Sequence, residues 1–523
     1  MQARTIMVQG TASHVGKSVL VAALCRIFYQ DGYRVAPFKS QNMALNSFVT
    51  RDGGEMGRAQ VVQAEAAGIE PHVDMNPILL KPTGQASSQV IVLGRPVGNL
   101  SAREYHNNYA QKAWDVICQA LDRLRRRYEI VAIEGAGSPA EVNLQETEIV
   151  NMRVARMAEA PVLLATDIDK GGALAAVVGT LELLPEEDRQ RVAGIIINKF
   201  RGDLKLFQPA VDFLEAKTGV PVIGVVPYFE GFRVQEEDTV SEESLRKSRS
   251  SIRRDLDIAV IHLPHISNFT DFDPLENEPD VNLRYIGRGS SLGRPDLIII
   301  PGSKNTIEDL VTIKRWGLAG EICRLARGGV PVIGICGGFQ MLGKELADPY
   351  QTESSIPRIE GLGLLDISTT FEPEKVTTQV EATVAGSGPL LADSRGQRLA
   401  GYEIHMGRTV LGSDAVPAFR IFRRSGEMVD CPDGAQDREG LVWGTYIHGL
   451  FDNDVFRRHL LNALRVKKGL APLEKGGVGH LEQRERDYDR LAAVVRGSLD
   501  MDRIYRLLGL PGPKKGKALA GAV

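Results

Sequence analysis

At 523 residues, 43% of them hydrophobic, the chain is long enough for two or three domains with sizeable cores. A net charge of −3 gives no reason to expect nucleic acid as a partner, and no apolar run reaches the length of a membrane span. Five scattered cysteines without a Cys-x-x-Cys pair, and a start without the layout of a signal peptide, point to a reducing cytoplasm. The sequence does not disclose the oligomeric state.

The first predicted element is a buried strand at Ile6–Val8. It runs into Gly10-Thr11-Ala12-Ser13-His14-Val15-Gly16-Lys17-Ser18 and a helix start. A glycine-rich turn at a helix N-terminus exposes backbone N–H groups to phosphate oxygens, and the helix dipole favours the negative charge. Lys17 adds a point charge for the outer phosphates, and Ser18 a hydroxyl for Mg²⁺. Five residues separate Gly10 from Gly16, one more than the usual P-loop spacing. Leu20, Leu24, Ile27 and Phe28 share a helical face that ends at Gly32. This context favours a nucleotide site over an ordinary turn with a chance lysine.

Val35–Phe38, Glu129–Ile133, Val162–Thr166, Gly194–Ile197 and Val222–Val226 are nearly continuous in apolar residues. That pattern predicts a parallel sheet buried on both faces, with ligands at the carboxyl ends of its strands. Glu134, at one such end, is suited to holding Mg²⁺ through its water shell; a helix-capping acid is the alternative. Asn198 and Lys199, at another, would hydrogen-bond a nucleotide base or serve as turn chemistry. The amides and lysines of Lys39-Ser-Gln41-Asn42-Met-Ala-Leu-Asn46-Ser47 and Asn76-Pro-Ile-Leu-Leu-Lys81 suit carboxylates and phosphates, or a solvated loop set equally well.

Between Glu236 and Asp255 the composition turns charged and serine-rich, as at a domain boundary. A second α/β series follows with Asp257–Ile261, Leu297–Ile300, Val332–Ile335 and Leu441–Ile447. After Asp454 helices are expected, with a basic end fraying from Pro511. Within this series, Val332-Ile-Gly-Ile-Cys336-Gly337-Gly338 is a strand entering Gly-x-Cys-x-Gly, the cysteine form of a nucleophile elbow. Its small residues permit the cramped turn, and the Gly337 N–H would face a developing oxyanion. Pro301-Gly302-Ser303 is the candidate for the second oxyanion donor. Among nine histidines, His448 in Gly444-Thr-Tyr-Ile-His448-Gly449 is the best-placed base, and His405 is second. A small buried hydrophobe is the alternative reading of Cys336.

Gly-Ile-Cys336-Gly-Gly-Phe-Gln with Tyr-Ile-His448-Gly resembles a class I (triad-type) glutamine amidotransferase domain. The five-spaced P-loop is similar to that of dethiobiotin synthetase-like ligases. In this order the two resemble the glutamine-dependent amidases of the cobalamin pathway. Lys39–Ser47, Asn76–Pro82, Glu134–Glu141, Pro301–Thr306 and Gly401–Gly407 narrow this to the cobyric acid synthase family.

The resemblance implies an α/β architecture: a P-loop-type parallel-sheet synthetase domain at 1–235, a linker at 236–255, and a class I glutamine amidotransferase domain at 256–460. A helical extension and tail would occupy 461–523. It further implies ATP and Mg²⁺, glutamine and adenosylcobyrinic acid a,c-diamide as small-molecule substrates, and Cys336 and His448 as the glutaminase pair. Gln41, Asn42, Asn46, Lys81 and Glu148 become candidates for substrate binding. Two positions depart from the family pattern. Leu450 stands where most triad glutaminases carry Glu, leaving the partner of His448 unidentified, and Glu148 stands where Asp is expected.

Overall fold

In the computed structural model, which describes residues 2–82, 87–101, 104, 110–144, 148–229, 254–474 and 476–514, the apolar runs of the N-terminal half become six strands. They are β1 (Arg4–Gly10), β2 (Val35–Phe38), β3 (Ile130–Glu134), β4 (Val162–Asp167), β5 (Val192–Phe200) and β6 (Val222–Pro227). All pairings are parallel, in the order β6-β5-β4-β1-β3-β2. The central strand β1 is buried from Thr5 to Gly10, which is why it carries no alternation of polar residues. Its carboxyl end opens between β3 and β4, where ligands bind in sheets of this kind.

Helix α1 (Lys17–Gln30) buries Leu20, Leu24, Ile27 and Phe28 in a core that also holds Tyr488, Leu491, Val495, Ile504 and Tyr505. The rings of Phe28 and Tyr505 meet edge to face with centroids 5.9 Å apart. Arg496 pairs with Asp31 at 2.9 Å. The tail is anchored further along than its composition suggests. Tyr33 donates to the Gly512 carbonyl at 2.6 Å, and Lys514 Nζ reaches Glu129 at 2.6 Å. The expected fraying from Pro511 therefore does not hold through Lys514, because partners distant in sequence supply what the local pattern lacks. Residues 515–523 lie outside the described residues.

By their contacts the described residues form two bodies. One comprises 2–44, 56–229 and 484–514; the other comprises 45–55 and 254–483. These bodies differ from the sequence segments in two places. Residues from 484 onward complete the first body's core, and residues 45–55 belong to the second body. The linker expected at 236–255 falls outside the described residues up to 253.

The second body is built on β7 (Leu256–Ile261), β8 (Val281–Ile286), β9 (Leu297–Ile300), β10 (Val332–Ile335) and, further along the chain, β13 (Val442–Thr445). These pair in parallel in the order β8-β7-β9-β10-β13, with Ala435–Gln436 added antiparallel at the edge. Between β10 and β13 the chain forms a second sheet around β11 (Ile367–Val384) and β12 (Arg398–Leu411), a long antiparallel ribbon. Helix α2 (Gly337–Leu342) follows β10 directly and is wholly buried.

Because Ile504 is fully buried in the first body's core, Ile504→Ala is expected to cost about 2–5 kcal/mol in chemical denaturation. A loss below about 1 kcal/mol would show that the C-terminal helices are not part of that core.

Candidate active sites

In the first body the loop between β1 and α1 wraps the helix N-terminus. Gly16 adopts φ 96°, and a Cβ there would collide with the Asn198 amide. Glycine is therefore required by conformation and by space. No acidic residue lies in the first turn of α1 itself; the carboxylate at that end is Glu134, which Ser18 contacts. Lys17 Nζ donates to the carbonyls of Ala12 (3.0 Å) and Gly137 (3.1 Å), which curl it back over the loop. Thr11 Oγ1 contacts Thr166 Oγ1 at 3.0 Å. Asn198 Nδ2 donates to the Val15 carbonyl (2.8 Å), and Lys199 Nζ to the His14 carbonyl (2.8 Å) and Asp167 (2.9 Å). Both residues thus brace the loop from its backbone side.

Glu134 ends β3 and is 1% exposed. Its Oε1 accepts from Ser18 Oγ (2.8 Å) and Lys39 Nζ (3.0 Å), and its Oε2 from the amides of Gln63 and Gln60. Burial raises its pKa, but the Lys39 charge and the hydrogen bonds from Gln63, Lys39 and Ser18 outweigh this and hold it below its ordinary value. An ionised carboxylate touching a hydroxyl is a hard-oxygen donor pair of the type Mg²⁺ accepts, so Ser18 and Glu134 fit that ion. Asn42 Nδ2 donates to Gln60 Oε1 at 3.0 Å, tying the Gln41–Met43 strand to the same cluster. Lys81 is buried on the neighbouring strand Ile78–Pro82, which pairs with Gln41–Met43. Gln63 was missed by sequence reasoning; it sits on a helix whose polar residues give no sign of facing inward.

The other substrate candidates are placed differently. Glu148 accepts from the backbone N–H groups of Val150, Asn151 and Arg153, closing the loop ahead of the helix Met152–Ala158. Asn46 belongs to the second body, where its Oδ1 accepts from the Phe269 N–H at 3.3 Å.

In the second body Cys336 stands between β10 and α2 with φ 51° and ψ −108°. A non-glycine residue in that region costs about 1–3 kcal/mol and marks a site where geometry is imposed. The turn is possible because Cβ atoms on Gly334 and Gly338 would run into backbone, that of Gly338 into the Ile300 carbonyl. Against it lies Gly302–Ser303, paired antiparallel with Ile266–Ser267. A Cβ on Gly337 would lie 2.9 Å from the Ser303 nitrogen, and one on Gly302 3.2 Å from His448 Cε1, so these backbones pack closely together. Ser303 Oγ is held by buried Asp309 at 2.6 Å, and Asp309 also takes His265 Nδ1 at 2.8 Å.

His448 follows β13 and is 1% exposed, and the charge of Cys336 acts on its ring, while Cys336 Sγ donates to the Ile404 carbonyl at 3.7 Å. Its Nδ1 meets Asp271 Oδ2 at 2.7 Å, while Asp271 Oδ1 accepts the Gly449 N–H at 3.0 Å. Burial alone would lower the imidazole pKa. The Asp271 charge and hydrogen bond, with Cys336, overcome it and push it up to about 10. Asp271 is the orienting partner that Leu450 could not be; Leu450 is buried in the core. Sequence reasoning missed it because it lies 177 residues upstream on a single 3-10 turn, Phe269–Phe272. An acid in the loop after a parallel strand was the one available signal. His405 stacks on Tyr446 at 3.8 Å, and Tyr446 accepts from Gln340 Nε2 at 3.3 Å. His405 Nδ1 is engaged by the Gly407 carbonyl at 2.9 Å.

Residues 6–240 match the CobQ/CobB/MinD/ParA nucleotide binding domain family, and residues 257–456 match the CobB/CobQ-like glutamine amidotransferase domain family. Three relatives described as cobyric acid synthase align over nearly the whole length. The protein from Pelotomaculum thermopropionicum is 58% identical over 99% of both chains. That from Moorella thermoacetica is 58% identical over 98% of both, and that from Desulfitobacterium hafniense 54% over 97% of this chain and 98% of its own. Among the described residues no helix is long and apolar enough to cross a membrane.

The raised His448 pKa makes a stability prediction. Its pairing with Asp271 contributes fully below the ordinary value of 6.5 and is lost as pH rises through about 10. Thermal denaturation of the wild type should therefore lose stability over that window more steeply than Asp271→Asn. Parallel pH profiles would contradict the pairing.

Proposed function

The chain belongs to the cobyric acid synthase family, and from that premise we propose that it amidates the b, d, e and g carboxylates of adenosylcobyrinic acid a,c-diamide at the expense of ATP and glutamine. The observation that carries this reading is the Cys336–His448–Asp271 constellation in the same chain as a Gly-rich loop closed by Lys17 and Glu134.

A carboxylate is a poor acyl donor, so it is first phosphorylated. Its oxygen attacks the γ-phosphorus of ATP, ADP departs, and an acyl phosphate forms. This transfer needs positioning and charge neutralisation, which Lys17 and the N–H groups of the loop around Gly10, Thr11 and Gly16 supply. Mg²⁺, held by Ser18 and Glu134, would neutralise phosphate charge when bound. Lys39, Gln60 and Gln63 keep Glu134 ionised and oriented. Gln41, Asn42 and Lys81 are the groups of the first body best suited to the acid substrate. Asn198 and Lys199 hold the loop and would edge the nucleotide.

Ammonia is largely protonated at neutral pH, so it is generated on demand. The Cys336 thiolate attacks the glutamine δ-carbonyl, and the oxyanion is received by the N–H groups around Gly302, Ser303 and Gly337. The His448 imidazolium gives its proton to the departing nitrogen, NH₃ leaves, and a thioester remains. Neutral His448 then takes a proton from water, which attacks the thioester and releases glutamate. Asp271 keeps His448 in one tautomer and one orientation throughout. The ammonia displaces phosphate from the acyl phosphate to give the amide.

Cys336→Ala should abolish glutamine-dependent turnover and retain turnover with high ammonium; joint loss would overturn the division of labour. Lys17→Ala should abolish both. By mass spectrometry the a,c-diamide should gain four amides. Two amides added to cobyrinic acid instead would make the chain an a,c-diamide synthase.

A further inference from the structure

His448 must present one ring nitrogen to Cys336 while Asp271 holds the other, and a tilt of 10–20° at such a site is enough to cost rate. Tyr402, on β12, contacts His448 through both its backbone and its ring. Its backbone exchanges two hydrogen bonds with His448, N–H to carbonyl at 3.1 and 2.8 Å, in an isolated antiparallel bridge. Its ring lies over the imidazole, with centroids 5.3 Å apart and planes 19° from parallel. Gly302 closes the ring's edge: a Cβ there would come within 3.2 Å of His448 Cε1.

Tyr402 is itself seated by a segment from far upstream. Its hydroxyl donates to the Ser47 carbonyl at 3.3 Å and accepts from Asn268 Nδ2 at 3.3 Å. Asn268 Oδ1 accepts the Ser47 N–H at 3.1 Å. Asn268 also adopts φ 53° and heads the 3-10 turn that presents Asp271, its carbonyl accepting the Asp271 N–H at 3.0 Å. Phe48 packs against the Tyr402 ring at 5.3 Å, and Val49 shares the same small apolar cluster. One amide side chain therefore joins three things: the inserted segment, the tyrosine over the histidine, and the turn bearing the acid.

We infer that Tyr402 is a positioning residue for His448, and that Asn268 with Ser47 of the inserted segment 45–55 completes its seat. The glutaminase body is then not a self-contained product of residues 254–483. It requires a strap from the N-terminal part of the chain to align its base. This inference rests on the proposed thiol chemistry at Cys336.

The test is glutamate release by the full-length chain, with kcat and KM for glutamine determined separately. Tyr402→Ala should lower kcat about tenfold or more with little change in KM, since orientation of the base and not glutamine binding is lost. Tyr402→Phe keeps the stack and cuts the link to Asn268 and Ser47. It should recover part of that loss and remain below wild type. Asn268→Gly preserves the left-handed backbone while deleting the amide. Combined with Tyr402→Phe, it should do less harm than the product of the two single losses, because both remove the Tyr402–Asn268 hydrogen bond.

The inference is overturned if Tyr402→Phe stays within about twofold of wild type, if the loss falls on KM alone, or if the two changes multiply. Should Asn268→Gly fail to fold, the Tyr402→Phe result decides by itself. Cys336→Ala separates the two levels. Continued hydrolysis there removes the proposed chemistry itself, whereas a dead Cys336→Ala beside an unaffected Tyr402→Phe removes only the positioning role.

Discussion

The contact between Asp271 and His448 is buried on both sides, and burial decides what it does. Out of water, an imidazole prefers to be neutral and a carboxylate is costly as an anion. Placed 2.7 Å apart they stabilise each other's charge, and the second carboxylate oxygen is satisfied by the Gly449 N–H. On the proposed chemistry, the charged ring carries the proton that the departing nitrogen of glutamine takes up. The strained backbone of the cysteine, the glycines that make room for its turn, and the Gly302–Ser303 strand all serve to bring groups to that one pair.

The first body follows a related logic with the opposite sign. There a buried carboxylate, Glu134, gathers donors: a hydroxyl, an ammonium and two amides. Breaking such a cluster from one side leaves a buried charge uncompensated, so its members act as a unit. The cluster sits at the carboxyl end of β3, beside the phosphate loop that follows β1, because parallel strands bring those ends to the same edge of the sheet.

Much of this was legible in the sequence where the determinant is local. The loop from Gly10 to Ser18, the strand into Cys336 and the run into His448 are each contiguous, and each carries its chemistry in residue type and spacing. The parallel sheets were readable from apolar runs without alternation. What stayed hidden depends on tertiary contacts. Asp271 meets His448 across 177 residues. Tyr488 to Tyr505 return to cover α1, and the segment 45–55 joins the second body although flanked on both sides by the first. Lys514 is pinned by Glu129 although its neighbourhood reads as a loose end. Periodicity fixes which face of an element is apolar and is silent on which distant element will cover it.

The charge state of His448 is the point on which the chemistry turns, and it can be read directly. Nitrogen-15 chemical shifts of the histidine side chains, assigned with a His448 variant and followed against pH, report protonation at each ring nitrogen. The account predicts an imidazolium that persists through neutrality and titrates near pH 10. A neutral ring at pH 7 would contradict it.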